Sequence, residues 1–541
     1  MGIQAPVARR TFLKSTGLLI GSVIVPGGAS SLVHAARRVR SSPRGAPRLE
    51  QGIQIGDVRA DRAVLWSRAD RPARLLVDYD VREQFTNPRR VRGPLALETS
   101  DFTARVDVPG LPNDSDIFVR VRFQDPSNNH VVSDPVRGSF RTAPVKNRAI
   151  RFLWSGDTAG QGWGINPDVG GMTIYEAMRQ TRPDFFIHCG DTIYADGLIQ
   201  ESMIAEKGRE WKNLVTPEVA KVAETLAEFR GRYKYNLLDE HVRRFNAEVP
   251  QIWQWDDHEV LNNWSATKDL STDARYREKH LPLLIARGAR AFLEYAPLRY
   301  TGVAVRERIY RSIPYGQLLD VFVLDMRSYR AGNSYNRQPA PGPDTAFLGG
   351  EQLAWLQQHL RASQAVWKVL AADMPLGLQV GDGTDAAGRP RWENAANGDG
   401  PVLGREFDIA EILSFLKRER VQNVVWLTAD VHYCAAHYYD PRAAQSQEFD
   451  PFWEFVAGPL NAGTFGPNTL DNTFGPQVVF QRAPEPGQAN LSPYAGLQFF
   501  GQVDIDGRTA VMTVSLKDIT GATVFSKQLA PLVPAGRQFP R

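Results

Sequence analysis

Four strongly apolar runs in this chain each stop at an acid. They read Phe152-Leu153-Trp154-Ser155-Gly156-Asp157, His188-Cys189-Gly190-Asp191-Thr192-Ile193-Tyr194, Trp255-Asp256-Asp257-His258-Glu259 and Thr428-Ala429-Asp430-Val431-His432. A short apolar run that ends in Gly or an acid reads as a buried strand of an α/β sheet. Catalytic and binding groups collect at the C-terminal ends of such strands. Carboxylates, a phenol and imidazoles delivered there four times over predict a site for hard metal ions.

The chain has 541 residues, too many for one ordinary core, so at least two domains are expected. Its 43% hydrophobic and 23% charged residues are those of a globular protein. The net charge is +4 with no dense basic run, which argues against nucleic acid as a partner. Two cysteines, Cys189 and Cys434, cannot build a disulfide framework. At the N-terminus, Arg9-Arg10-Thr11-Phe12-Leu13-Lys14 precedes an apolar segment from Gly17 to Val25, and small residues lead to Ala35-Ala36. That order is an export signal, and the paired arginines point to the twin-arginine export machinery and a periplasmic or secreted protein. The apolar segment is too short for a stable membrane span.

After the signal (1–36) and an Arg-, Ser- and Pro-rich linker (37–48), residues 49–145 show short alternating runs separated by turn signals, the pattern of a small β-sandwich. From 146 to the C-terminus strands and helices alternate. Strands are expected at 149–154, 184–188, 249–255, 318–324, 366–372 and 423–427, and helices at 173–182, 216–247, 274–295, 350–362 and 404–419. Thr216-Pro217 reads as the start of the second helix. A Gly-, Pro- and Asn-rich loop fills 458–476, and alternating strands return at 497–529. The fold class is α/β, a layered core of two sheets with flanking helices behind the sandwich.

Asp191 and Tyr194, three residues apart past a strand, fall on one side of a tight turn. A phenolate suits a hard trivalent ion, which lowers the phenol pKa by direct coordination. Asp257 and His258 are adjacent, Asp430 and His432 alternate so as to face the same way, and Asp157 adds an acid from the first strand. Carboxylates packed together without cations repel one another, so such a cluster calls for metal. Asp325 and Arg327 read better as a buried ion pair than as substrate contacts. The loop Gly160-Gln161-Gly162-Trp163-Gly164 lacks the ending of a P-loop and reads as one wall of a cleft, with Trp163 a candidate substrate platform.

The order of Gly190-Asp191-x-x-Tyr194, Trp255-Asp256-Asp257-His258-Glu259 with Asn262-Asn263-Trp264, Leu324-Asp325-x-Arg327-x-x-Arg330 and Ala429-Asp430-Val431-His432-Tyr433 resembles the alkaline phosphatase D (PhoD-like) metallophosphatases, relatives of the purple acid phosphatases. The resemblance runs from about residue 50 to the C-terminus. It implies a calcineurin-like core holding Fe3+ and Ca2+, with Asp157, Asp191, Tyr194, Asp257, Asp430 and His432 as metal ligands. His258 would be the acid facing the leaving group, and Asn263 a substrate contact or further ligand. Some family members carry Cys where Asp157 stands, and a carboxylate there shifts metal preference towards harder ions. The implied activity is hydrolysis of a phosphate ester, small molecule or lipid, by a metal-activated water attacking phosphorus in line. A phospholipase D-like diesterase and a non-catalytic exported binding protein are the alternatives. A serine hydrolase lacks its G-x-S-x-G elbow, and a zincin lacks a second His four residues after His258.

Overall fold

A computed structural model describes residues 45–300 and 308–532. The expected signal and residues 37–44 of the expected linker lie outside these residues. Seven strands open the described chain: β1 (Ile53–Gly56), β2 (Arg62–Arg68), β3 (Ala73–Asp80), β4 (Arg89–Ala96), β5 (Thr103–Pro109), β6 (Asp116–Gln124) and β7 (Val136–Arg141). There follow β8 (Ile150–Ser155), α1 (Ile174–Gln180), β9 (Phe185–Cys189), the hairpin β10 (Ser202–Ile204) and β11 (Glu210–Lys212), α2 (Leu226–Asn236), α3 (Glu240–Glu248), β12 (Gln251–Gln254) and α4 (Leu281–Tyr295). The second half contains β13 (Arg311–Pro314), β14 (Leu319–Val323), α5 (Gly350–Ala362), β15 (Trp367–Ala371), the hairpin β16 (Gly381–Thr384) and β17 (Pro390–Trp392), α6 (Glu406–Arg418), β18 (Val424–Thr428), β19 (Cys434–Tyr439) and β20 (Phe452–Val456). It closes with β21 (Pro476–Arg482), β22 (Phe499–Ile505), β23 (Met512–Asp518) and β24 (Thr523–Leu529).

Two large sheets face each other. One has the order β24-β23-β22-β8-β9-β12-β1-β2-β5, the other β13-β14-β15-β18-β20-β19-β21. Strands β8, β9 and β12 are parallel neighbours, as are β14, β15, β18 and β20. Between the sheets Phe152, Trp154, Ile187 and Val503 meet Val321, Val369, Leu427 and Phe455, all buried. Each such side chain contributes about 1.5–3 kcal/mol on leaving water. The opposite face of the first sheet is covered by α1 to α4 through Ile174, Phe229, Phe245 and Phe292, and that of the second by α5 and α6 through Leu356, Ile409 and Ile412. Near-continuous apolar strands are the consequence of burial on both faces.

The N-terminal strands form a sandwich. A four-stranded sheet β4-β3-β6-β7 packs Leu75, Val77, Val119 and Val121 on Ile53, Ile55 and Leu65 of β1 and β2. One layer of it is continuous with the first large sheet, because β1 pairs in parallel with β12. Buried Asp57, just past β1, fixes this seam by accepting from Arg299 N at 2.8 Å and from the Arg311 guanidinium. Two expected helix starts move, and the helix expected over 274–295 begins only at Leu281. The helix read from Thr216-Pro217 begins at Leu226 instead, because Thr225 and Glu228 form a reciprocal capping box there. A turn then separates α2 from α3, whose own cap is Asp239.

Candidate metal centre

The C-terminal ends of β8, β9, β12 and β18 converge, and each delivers its acidic block to the same place. Asp157, Asp191 and His432 bring ligand atoms within 4.8 Å of one another. Asp191, Asp257 and His258 do the same. Asp191 thus belongs to both groups, and all but half-buried His258 are buried. Tyr194 joins the first group, its hydroxyl 3.0 Å from His432 Nε2. His432 Nε2 is in turn 3.8 Å from Asp157 Oδ1. Asp430 is half-buried and stands outside both groups, where the charges of Asp256, Glu393 and Asp257 act on it. The Asn263 backbone N–H donates to Asp257 Oδ2, and its side chain donates to Gly381 O at 3.2 Å.

Asp157, Asp191, Asn263, Asp430 and His432 all have positive φ, between 52° and 65°. Non-glycine residues rarely adopt that conformation, and where they do the strain clusters at functional sites. All five lie in the loops that follow β8, β9, β12 and β18.

The electrostatics are those of a cation site. Burial first, and then Asp256 and Asp257, hold the Asp157 and Asp191 carboxyls well above their usual range. Burial also raises the Tyr194 phenol and lowers His432 to about 3. Asp157 Oδ2 and Asp257 Oδ1 are buried with no hydrogen-bond partner. Buried polar atoms are rarely left so. Carboxylate oxygens, a phenol and imidazole nitrogens at these separations fit hard cations.

Three positioning groups escape a reading of the sequence. Asp196 is buried and lies 2.6 Å from His258 Nδ1, while its second oxygen accepts from Asn262 N at 2.9 Å. This fixes the ring so that Nε2 faces Asp257, 3.8 Å away. Burial would lower the His258 pKa, but Asp196 and Asp257 outweigh it and push it up to about 10. Glu259 is fully buried and accepts only from backbone N–H groups. The loop after β20 folds over the site: Leu460 N donates to Asp157 O at 3.1 Å, and Gly463 O pairs with His432 Nδ1. Asp196 follows Asp191 by five residues and Glu259 closes the third acidic block, but no local pattern gives either its partners, and nothing local marks the loop.

Two expectations are corrected. Trp163 is 2% exposed, bonded through Nε1 to Asn490 at 2.9 Å and edge-on to Trp211, so it has no free face for substrate. The Arg327 guanidinium pairs not with Asp325 but with Asp256, Glu393 and Asp373. Asp325 instead accepts from Arg327 N at 3.0 Å and Trp255 Nε1 at 3.0 Å. Arg327 places a fixed positive charge behind the acidic cluster. Arg330 reinforces it through Glu393 at 3.1 Å.

Residues 152–516 match the family model of the PhoD-like phosphatases, and residues 34–144 match the model of the PhoD-like phosphatase N-terminal domain. Alkaline phosphatase D of Bacillus subtilis (strain 168) is 28% identical over 493 residues, 86% of this chain and 78% of that one. The solved structure of PhoD superposes with a TM-score of 0.65 at 19% identity, covering 92% of this chain and 94% of that chain. A purple acid phosphatase, PPD1 from yellow lupin (Lupinus luteus) seeds, gives 0.54 at 12% identity over 90% of this chain and 74% of that chain. Those two likenesses establish the metallophosphatase fold. With the catalytic-domain model spanning 365 of 541 residues, the chain belongs to the PhoD-like phosphatase family of phosphoric ester hydrolases.

Proposed function

We propose that this protein is an exported, metal-dependent alkaline phosphatase or phosphodiesterase of the D type. The observation that carries the reading is the sharing of Asp191 between two groups of ligand atoms, the arrangement a pair of cations requires. Asp157, Asp191, Tyr194 and His432 would hold one cation, and the phenol favours Fe3+ there. Asp191, Asp257, Asp430 and Asn263 would supply the oxygen-rich side, which suits Ca2+. When bound, the cations supply charge neutralisation for the phosphate oxygens and a lowered pKa for the attacking water.

The chain's own groups do the rest. The strained strand ends hold the acids in place before substrate arrives, so little reorganisation is needed. Asp196 holds the Nδ1 side of His258, leaving Nε2 to give its proton to the departing oxygen as water attacks phosphorus in line. The loop at 458–465 closes one side of the centre around Asp157 and His432. Residues 49–145 would brace β12 through β1 and Asp57. Among the described residues no helix is long and apolar enough to cross a membrane.

The test compares hydrolysis of p-nitrophenyl phosphate and bis-p-nitrophenyl phosphate, with and without chelator, while recording the visible spectrum. Turnover lost on chelation together with a tyrosinate-to-iron band is expected. A folded, metal-replete sample with no turnover would refute the reading. A reporter fused to residues 1–36 that is exported equally in cells lacking the twin-arginine translocase would refute the export route.

A further inference from the structure

We propose that Glu259 is a positioning residue for metal retention: its carboxylate clamps the loop after β9 to the loop after β12 and so sets the spacing of Asp191 and Asp257. The inference rests on the reading of this centre as a metal site. Glu259 is 0% exposed. Its Oε1 accepts from Thr192 N at 2.6 Å, and its Oε2 accepts from Asp191 N at 3.2 Å and Asp256 N at 2.8 Å. The three donors come from two different loops, and each donor is a ligand residue or its immediate neighbour. No Lys, Arg or His shares the carboxylate among the described hydrogen bonds and ion pairs. The carboxyl group is therefore held by backbone N–H donors alone, as in the N–H nests that bind anions.

The loops need such a clamp. Asp191 is held at a φ of 52°, which the two N–H bonds at 191 and 192 stabilise. Gly190 has a φ of 99°, and a Cβ there would lie 2.4 Å from Asp256 Cβ, so the two loops touch backbone to backbone. A third link crosses the same seam, His258 N donating to Asp191 Oδ1 at 3.1 Å. Without the carboxylate, the loop bearing the shared ligand loses the acceptor of two N–H groups and the loop after β12 loses the acceptor of a third. Groups that orient metal ligands from behind typically change metal affinity 10–100-fold when altered.

A carboxylate is required rather than its amide. Glu259→Gln has the same shape but presents NH2 to at least one of the three N–H groups in either orientation. The experiment measures cation binding to the chelator-stripped full chain by calorimetry and by metal content after gel filtration, for wild type, E259Q and E454Q. Glu454 is an equally buried carboxylate whose partners are Leu376 N, Tyr439 and His437, away from the candidate ligand loops. The expected result is a dissociation constant weakened about 10–100-fold in E259Q, with E454Q near wild type even where its melting temperature falls. E259Q binding as tightly as wild type would overturn the proposal, and so would equal weakening in E454Q. If E259Q does not fold, Glu259→Asp decides. It keeps the charge but withdraws both oxygens by one methylene, and unchanged affinity in that variant would also overturn the clamp. A wild-type chain that binds no cation would instead refute the metal-site reading itself, a distinguishable failure.

Discussion

Gly160→Ala gives the sharpest test of how Tyr194 is held. A Cβ at position 160 would sit 2.3 Å from Tyr194 Cγ and 2.4 Å from both Cδ atoms. Ordinary contact begins at 3.4 Å, so the ring must retreat by about 1.1 Å. Gly160 has no positive φ, so alanine brings no backbone strain and acts through the ring alone. The Tyr194 hydroxyl is 3.0 Å from His432 Nε2 and the Tyr194 ring stacks on His258 at 4.2 Å, so the shift disturbs both groups of candidate ligands. Overpacking of this kind costs about 1–3 kcal/mol of stability. A misplacement near 1 Å in a catalytic constellation lowers rate by about 100-fold. The assay is kcat/KM on bis-p-nitrophenyl phosphate, with the visible tyrosinate band and a thermal melt on the same sample. Activity within about threefold of wild type, with an unmoved band, would refute the claim that Tyr194 belongs to the centre.

Asp196→Asn removes the largest charge that raises the His258 imidazole, leaving Asp257 and Asp256 against burial, so its pKa falls from about 10. The alkaline limb of the pH–rate profile should move to lower pH and kcat should drop about 10–100-fold; an unmoved profile would contradict the positioning role. Arg327→Met strips the cation from Asp256, Glu393 and Asp373 and should cost about 3–5 kcal/mol in urea unfolding, with Arg327→Lys a poor rescue because it lacks the planar fork. Glu406 is 1% exposed, and burial together with Asp471 raises its pKa from 4.5 to about 8. Its folded-state pKa lies above the unfolded one, so the stability it favours is complete below pH 4.5 and is lost as pH rises through about 8. Glu406→Gln should therefore be more stable than wild type at pH 9, by about 2–4 kcal/mol, and little different at pH 4; parallel stability curves would count against it.

The strands and their acidic ends were legible because a buried parallel strand has to be apolar along its length, and the first polar residue then marks its end. That is why β8, β9, β12 and β18 and the blocks behind them stand out. The same local logic placed α5 within a residue at either end. It failed at 216–225, where a Thr-Pro start signal lost to the capping box at Thr225. It failed for Trp163, because a Gly-rich loop looks open in sequence while its aromatic is packed against Trp211. Asp196, Glu259 and the Arg327 pairings stayed invisible for one physical reason: their partners lie on other strand ends, and no local pattern records a contact made across a sheet. The loop at 458–465 read as irregular, and it is; its closure over Asp157 comes from backbone bonds and from Gly458, where a Cβ would lie 2.3 Å from Asp157 Oδ2, contacts that no local pattern records.

The central claim is that two cations share Asp191. It is tested most directly by counting bound cations per chain, by elemental analysis of gel-filtered protein, in wild type, Asp191→Asn and His432→Ala. The account predicts at least two cations in wild type, retention of neither in Asp191→Asn, and loss confined to one in His432→Ala. Two cations retained by Asp191→Asn, or an equal loss from both variants, would contradict a shared ligand at the end of β9.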